Sequence, residues 1–258
     1  MKTQSLAMHP PTDSSLALLV IGDEVLSHAV RETNIDYTLQ TAAAAGCRVA
    51  EVRIVADQVP SIARAVQQLA GEGWWIITSG GVGPTHDDVT MQAVAEAYEV
   101  PLVEHPRMLE FLQRAYGKRL SPVVRRMSLV PEGTVVEVDH DRHWPLLHCR
   151  GCYILPGLPR AYRNRIDMIF AALPPQPPVA VAAVYTDSDE TVFAEQLGQL
   201  QQRHPLVEIG SYPQIPGEAG YAAKVTVRSR DADAVRQAFA ELQELFSSGG
   251  WLKRSEPV

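Results

Sequence analysis

The chain has 258 residues, 46% hydrophobic and 21% charged, a globular composition with enough apolar residues for one large or two modest cores. Its net charge of -7 gives no general pull toward nucleic acid or an anionic membrane, and no apolar run approaches the roughly 18–20 residues that span a bilayer. Three cysteines, an odd number, imply no disulfide framework.

Residues 1–13 are polar and contain proline, and they lack the apolar core of a secretory signal. They read as a loose tail on a cytoplasmic protein. From Leu16 to Ile21 the chain is continuously apolar and stops at Gly22, the pattern of a buried parallel strand. Asn34 is placed to cap the next helix, which ends at Gly46. A β-branched strand follows over residues 48–55, then Asp57 in a turn, then a helix opened by Pro60. The third strand covers residues 74–79 and runs into the glycine-rich stretch Gly80-Gly81-Val82-Gly83-Pro84-Thr85-His86-Asp87-Asp88. Val89, Ala93, Val94, Ala97 and Tyr98 then repeat at helical spacing.

Three strand–turn–helix units in series predict an α/β fold with a mostly parallel sheet. Such sheets bind ligands beyond the carboxyl ends of their strands. Gly22 to Glu24, Asp57 and the glycine stretch all fall at such ends. One pocket lined by Glu24, Asp57, Asp87 and Asp88, with the glycine loop as its floor, is therefore expected. Adjacent acids repel a bare phosphate, so a metal ion or a polar ring is the expected occupant. Oxygen ligands suit magnesium or manganese.

Further on, helices are expected over residues 106–116 and 123–127, and strands over 134–138 and 146–148. The second strand should pair with residues 152–155 across a tight turn at Arg150-Gly151. Pro156-Gly157-Leu158-Pro159 then leads into a helix through Tyr162, Ile166, Ile169 and Phe170, and Arg160 in its first turn could meet a phosphate. Residues 174–178 are a proline-rich linker. Residues 179–258 read as strand–helix–strand–strand–helix with a last short strand near 250–253, a small α+β domain of ferredoxin-like or KH-like outline. It holds 11 acids against 7 bases, so nucleic acid is not an expected partner.

Several of these residues also have plain structural roles open to them. Thr85 and Asp88 fit a capping box, and Asp57 fits the turn before Pro60. His140, His143, His148, Cys149 and Cys152 include a Cys-x-x-Cys, but the flanking apolar residues suit a β-hairpin better than zinc.

The motifs Gly22-Asp23-Glu24-Val25-Leu26, Thr33-Asn34, Thr78 to Thr90 and Leu155-Pro156-Gly157-Leu158-Pro159 together resemble the MoaB/MogA-like molybdopterin-binding domain family. Within it the chain is most similar to the CinA-type branch, whose domain also opens animal FAD synthases. The resemblance covers about residues 16–173, within a domain read as 14–173. It implies a three-layer α/β/α sandwich and a substrate site built from Gly22, Asn34, Ser79, Gly80, Gly81, Gly83, Pro84, Thr85, Pro156, Gly157, Pro159 and Arg160. Asp57 and Asp88 match the family's acidic positions. The branch implies a pyrophosphatase acting on ADP-ribose or FAD with a divalent cation (Mg, Mn or Co, with K as a further candidate) at Glu24, Asp57, Asp87 and Asp88. The alternative is a pterin-binding protein without hydrolase activity. The resemblance also implies a homo-oligomer. No stretch matches the amidohydrolase domain of long CinA proteins or the adenylyl-transferring domain of FAD synthases, and neither activity is expected.

Overall fold

The structure, a computed structural model, describes residues 15–139, 143–173, 177–215 and 220–258. It forms two compact units, Met1–Gln176 and Pro177–Val258.

The first unit contains β1 (Leu16–Ile21), α1 (Asp23–Leu26), α2 (Asn34–Ala44), β2 (Val49–Val55), α3 (Val59–Gly71), β3 (Trp75–Ser79) and α4 (Thr90–Ala97). Then come β4 (Leu102–Glu104), α5 (Pro106–Tyr116), α6 (Pro122–Arg125), β5 (Leu129–Pro131), β6 (Val135–Glu137), β7 (Leu146–Cys149), β8 (Cys152–Leu155) and α7 (Pro159–Ala171). The main sheet has the order β2-β1-β3-β8-β7-β6. β2, β1, β3 and β8 run parallel, and β7 and β6 add an antiparallel edge.

The continuous apolar run of β1 has its explanation in the two faces it serves. Leu16, Leu18 and Val20 join Ile77, Tyr153, Tyr162, Ile166 and Ile169 under α2 and α7. Ala17, Leu19 and Ile21 join Ile62, Val66, Leu69, Ala93 and Val94 under α3 and α4. Every β1 residue is buried, as a strand covered on both faces must be. This is the α/β/α sandwich. The β7–β8 hairpin turns at Arg150 and Gly151, with φ of 46° and 86°, the positive pair of a type I′ turn.

Three local readings are corrected. Asn34 does not cap α2: the Glu32 carboxylate accepts from the Asn34 and Ile35 amides, the latter at 2.8 Å. α4 starts at Thr90 with no side-chain cap, so Thr85 is not its N-cap. The β4–β5 pair, a separate two-stranded sheet of three-residue strands, was not anticipated.

The second unit contains β9 (Ala180–Thr186), α8 (Ala194–Arg203), β10 (Glu208–Pro213), β11 (Ala223–Ser229), α9 (Ala232–Ser248) and β12 (Arg254–Glu256). Its antiparallel sheet has the order β10-β11-β9-β12, the ferredoxin-like arrangement and not the KH one. Val184, Val225, Val227, Phe193, Leu242 and Phe246 fill its core. The last strand lies at 254–256, beyond the expected 250–253, because Gly249 and Gly250 still belong to the end of α9. Among the described residues no helix is long and apolar enough to cross a membrane.

Leu147, fully buried in β7, tests the first core. Leu147→Ala should lower its unfolding free energy by about 2–5 kcal/mol in urea titration, since the cavity is walled by neighbouring strands that cannot collapse onto it.

Candidate functional site

The carboxyl ends of β1, β3 and β8 meet at contact distance, and the contact is between backbones. Gly80 follows β3 with φ of 115°, where a side chain is strained, and an added Cβ would collide with the Ile21 carbonyl oxygen. Its amide donates to Leu155 O at 3.1 Å. A Cβ on Gly157, in the turn after β8, would lie 3.3 Å from the Gly80 Cα. Thr90, at the start of α4, ties the loop from the other end: its hydroxyl donates to Gly80 O at 2.9 Å and its amide to Gly81 O at 3.0 Å.

Asn34 fastens the same three segments by its side chain. Buried at the start of α2, its Nδ2 donates to Ser79 Oγ and Gly157 O, both at 2.9 Å. Its Oδ1 is buried and unpaired among the described residues. Asn34, Ser79, Glu24, Gly157 and Pro159 line a cavity of about 70 Å³, which also takes in Arg31 and Glu32.

The four predicted carboxylates divide into two groups. Asp88 is turned into the glycine loop, where it accepts from Gly83 N at 2.6 Å, Thr85 N at 2.7 Å and Thr85 Oγ1 at 2.5 Å. It braces the loop from within, which is the backward-reaching half of a capping box without the helix cap. Asp57 is the centre of the other group. Its Oδ2 accepts from Asp23 N at 2.7 Å, joining the turn after β2 to the turn after β1. Partial burial pushes its carboxyl above the ordinary range, and the charges of Glu24, Asp23 and Asp87 add to the rise, against the pull of the Asp23 amide. Asp87 is exposed. Glu24 curls back over Gly22, where a Cβ would sit 2.7 Å from its carboxylate.

So the structure gathers Glu24, Asp57 and Asp87, adds Asp23, and commits Asp88 elsewhere. Among the described residues no three His, Cys, Asp or Glu side chains form a ready metal-holding group, so the expected four-carboxylate cage is not built. Pro84 and Thr85 shape the loop, Pro156 is buried behind it, and Arg160 is exposed in the first turn of α7. Of the loop amides, Gly80 and Gly83 have protein partners, while Gly81 and Val82 have none among the described residues. Sequence reasoning included Asp23 only within the Gly22 to Glu24 strand end and passed over Arg31 and Glu32. All three lie between β1 and α2, so their position after a first parallel strand was the available signal.

Among the described residues the histidines and cysteines form no such site. His148 stacks on Trp75 at 5.0 Å and accepts from Gly151 N, and His143 faces Asp139. Cys149 and Cys152 pair across the hairpin, both buried. His140 lies outside the described residues.

An α/β/α sandwich with a glycine loop and clustered acids at the carboxyl edge is a small-ligand-binding architecture. The chain belongs to the family described as "Probable molybdopterin binding domain", whose model matches residues 17–176. A model described as "FAD synthase, middle domain" matches residues 178–255. A "Probable FAD synthase" of Caenorhabditis elegans is 27% identical over 94% of this chain and 53% of its own length. A "CinA-like protein" of Gemmatimonas aurantiaca is 30% identical over 89% of this chain and 58% of its own. The chain thus spans little more than half of each. The crystal structure of CinA from Thermoplasma acidophilum, 24% identical, covers 60% of this chain and 95% of its own with a TM-score of 0.55, a likeness of fold.

The crowding of Asp57 has a consequence for stability. A carboxyl whose folded-state proton affinity is raised favours the native state when protonated and opposes it when ionised, so this contribution is lost as pH rises through the carboxylate range. Asp57→Asn should therefore raise the melting temperature at pH 7, because the amide oxygen can still accept from Asp23 N. The gain should shrink as pH is lowered, which paired thermal scans at pH 7 and pH 3 would show.

Proposed function

We propose that the carboxyl edge of the first unit binds the pyrophosphate of a nucleotide such as ADP-ribose or FAD and hydrolyses it with a divalent cation. The observation that carries this reading is the half-buried Asp57 carboxylate crowded by Asp23, Glu24 and Asp87, beside the Gly81 and Val82 amides that have no partner among the described residues. Negative charge concentrated at a strand end is unfavourable without a cation. The donor set fits a cation that arrives on the substrate, because magnesium is commonly held by one or two carboxylates plus phosphate oxygens and not by a closed protein cage. Asp57 and Glu24 would hold it.

When bound, such a cation neutralises phosphate charge and lowers the pKa of a coordinated water. The chain's own groups have separate work. Asp57 Oδ2 is engaged by the Asp23 amide, which leaves Oδ1 for the cation, and Asp87 beside it would take the proton of the attacking water as its oxygen bonds to phosphorus. The bridging P–O bond breaks and its electron pair leaves with the departing phosphate. The Gly81 and Val82 amides face the charge that develops on the phosphoryl oxygens. Asp88 keeps the loop in shape for them, and Arg160 extends the positive wall. The products are AMP with ribose 5-phosphate, or AMP with FMN.

The family model's description favours a second reading, a pterin site without turnover, in which Asp57 and Glu24 accept from the ring's N–H groups. Incubating the purified chain with ADP-ribose and with FAD, with and without magnesium or manganese, separates the two. The hydrolase reading expects metal-dependent AMP release, and Asp87→Asn should lower kcat by about 10²–10⁴-fold with ligand affinity retained. No AMP from either substrate with any divalent metal would remove the hydrolase and leave the binder.

A further inference from the structure

The glycine loop has a second wall that the carboxylates do not use. Its outer part, with Val82, Val89, Met91, Met127 and Leu129, encloses a slot of about 210 Å³ between α4 and the segment carrying α6 and β5. The walls are apolar and the rim is polar: Arg126, Gln92, Thr85 and His86. Apolar walls with few placed polar groups are the usual make-up of a small-molecule site. The volume is below the ~300–1,000 Å³ of pockets that hold whole drug-sized ligands, so the slot suits one ring system of a larger molecule.

Arg126 in the slot's lining differs from its chain neighbour Arg125. Arg125 is held by Glu104 through two bonds, at 2.7 and 3.1 Å. Arg126 is exposed and makes no hydrogen bond or ion pair among the described residues, so its planar fork is available at the mouth. The acid in the lining is Asp88, whose oxygens already accept from Gly83 and Thr85. Two methionine thioethers in the walls suit the face or edge of an aromatic ring.

We infer that this slot receives the flat heteroaromatic ring of the ligand, with Met91 and Met127 against the ring and Arg126 donating to its carbonyl or phosphate oxygens. The inference rests on the proposed nucleotide site, because Gly83, Pro84 and Thr85 line the slot and belong to the loop that carries the Gly81 and Val82 amides. Purine, isoalloxazine and pterin share the required chemistry, so the probes must tell them apart.

The chain has only six methionines, so their methyl groups can be labelled and followed one by one in NMR titrations of the full-length protein. AMP, FMN and neopterin would be titrated separately, with ribose 5-phosphate as the ringless control. At least one ring probe should shift the Met91 and Met127 methyls, leave buried Met108 unmoved, and lose about tenfold in affinity on Arg126→Ala, the worth of one charge-assisted bond. The strongest of the three probes names the ring. The inference is overturned if no ring probe moves either methyl, if ribose 5-phosphate moves them equally, or if they move with protein concentration alone. Methyl shifts without AMP release would count against the hydrolase only. AMP release with silent methyls would count against the slot only.

Discussion

The candidate site depends on how closely three strand ends approach one another. A carbonyl of β1, the first glycine after β3 and the glycine turn after β8 lie in mutual backbone contact, with Gly80 left-handed at the centre. No other residue type fits there without moving a strand of a sheet buried on both faces. Because Gly80 is pinned from both sides, the loop beyond it has a defined path. That path brings Asp87 toward Asp57, leaves the Gly81 and Val82 amides without a partner among the described residues and folds Asp88 inward. Asn34 reinforces the junction by bonding to Ser79 and Gly157 with one amide group.

A rigid scaffold under a strained electrostatic arrangement is the second theme. Structural demands alone would favour fewer acids around Asp57, since each neighbouring charge opposes its ionisation in the folded state. The same loop contains Asp88, where a carboxylate is well satisfied by two amides and a hydroxyl. Adjacent aspartates thus have opposite characters, one stabilising the loop and one adding to an unfavourable cluster. Groups arranged against their own stability are more common at working sites than elsewhere, which is why the cluster and not the brace supports the functional reading.

Much of this was legible in the sequence. The unbroken apolar run of β1 foretold a strand covered on both faces, and the glycines at strand ends foretold the loop. The hairpin at Arg150-Gly151 followed from apolar runs on either side of a glycine. What was not legible depended on side-chain direction. Spacing placed Asp87 and Asp88 together, yet only the folded loop shows that one faces inward. Thr85 and Asp88 have the spacing of a capping box, but α4 begins four residues later than that pattern implies, because Thr90 anchors the loop to Gly80 and Gly81. Asn34 looked like a cap because asparagine often is one. Glu32 performs that role here, which frees Asn34 to cross to β3. The slot beside Arg126 joins segments more than thirty residues apart in sequence, and no local pattern marks it.

The central claim is that the loop amides and Asp57 together hold a nucleotide pyrophosphate. A crystal structure of the chain soaked with ADP-ribose and magnesium tests it most directly. The account predicts the pyrophosphate over the Gly81 and Val82 amides, bridged by a metal about 2.0–2.1 Å from an Asp57 oxygen. A pyrophosphate bound away from that loop, or a metal with no Asp57 ligand, would contradict it.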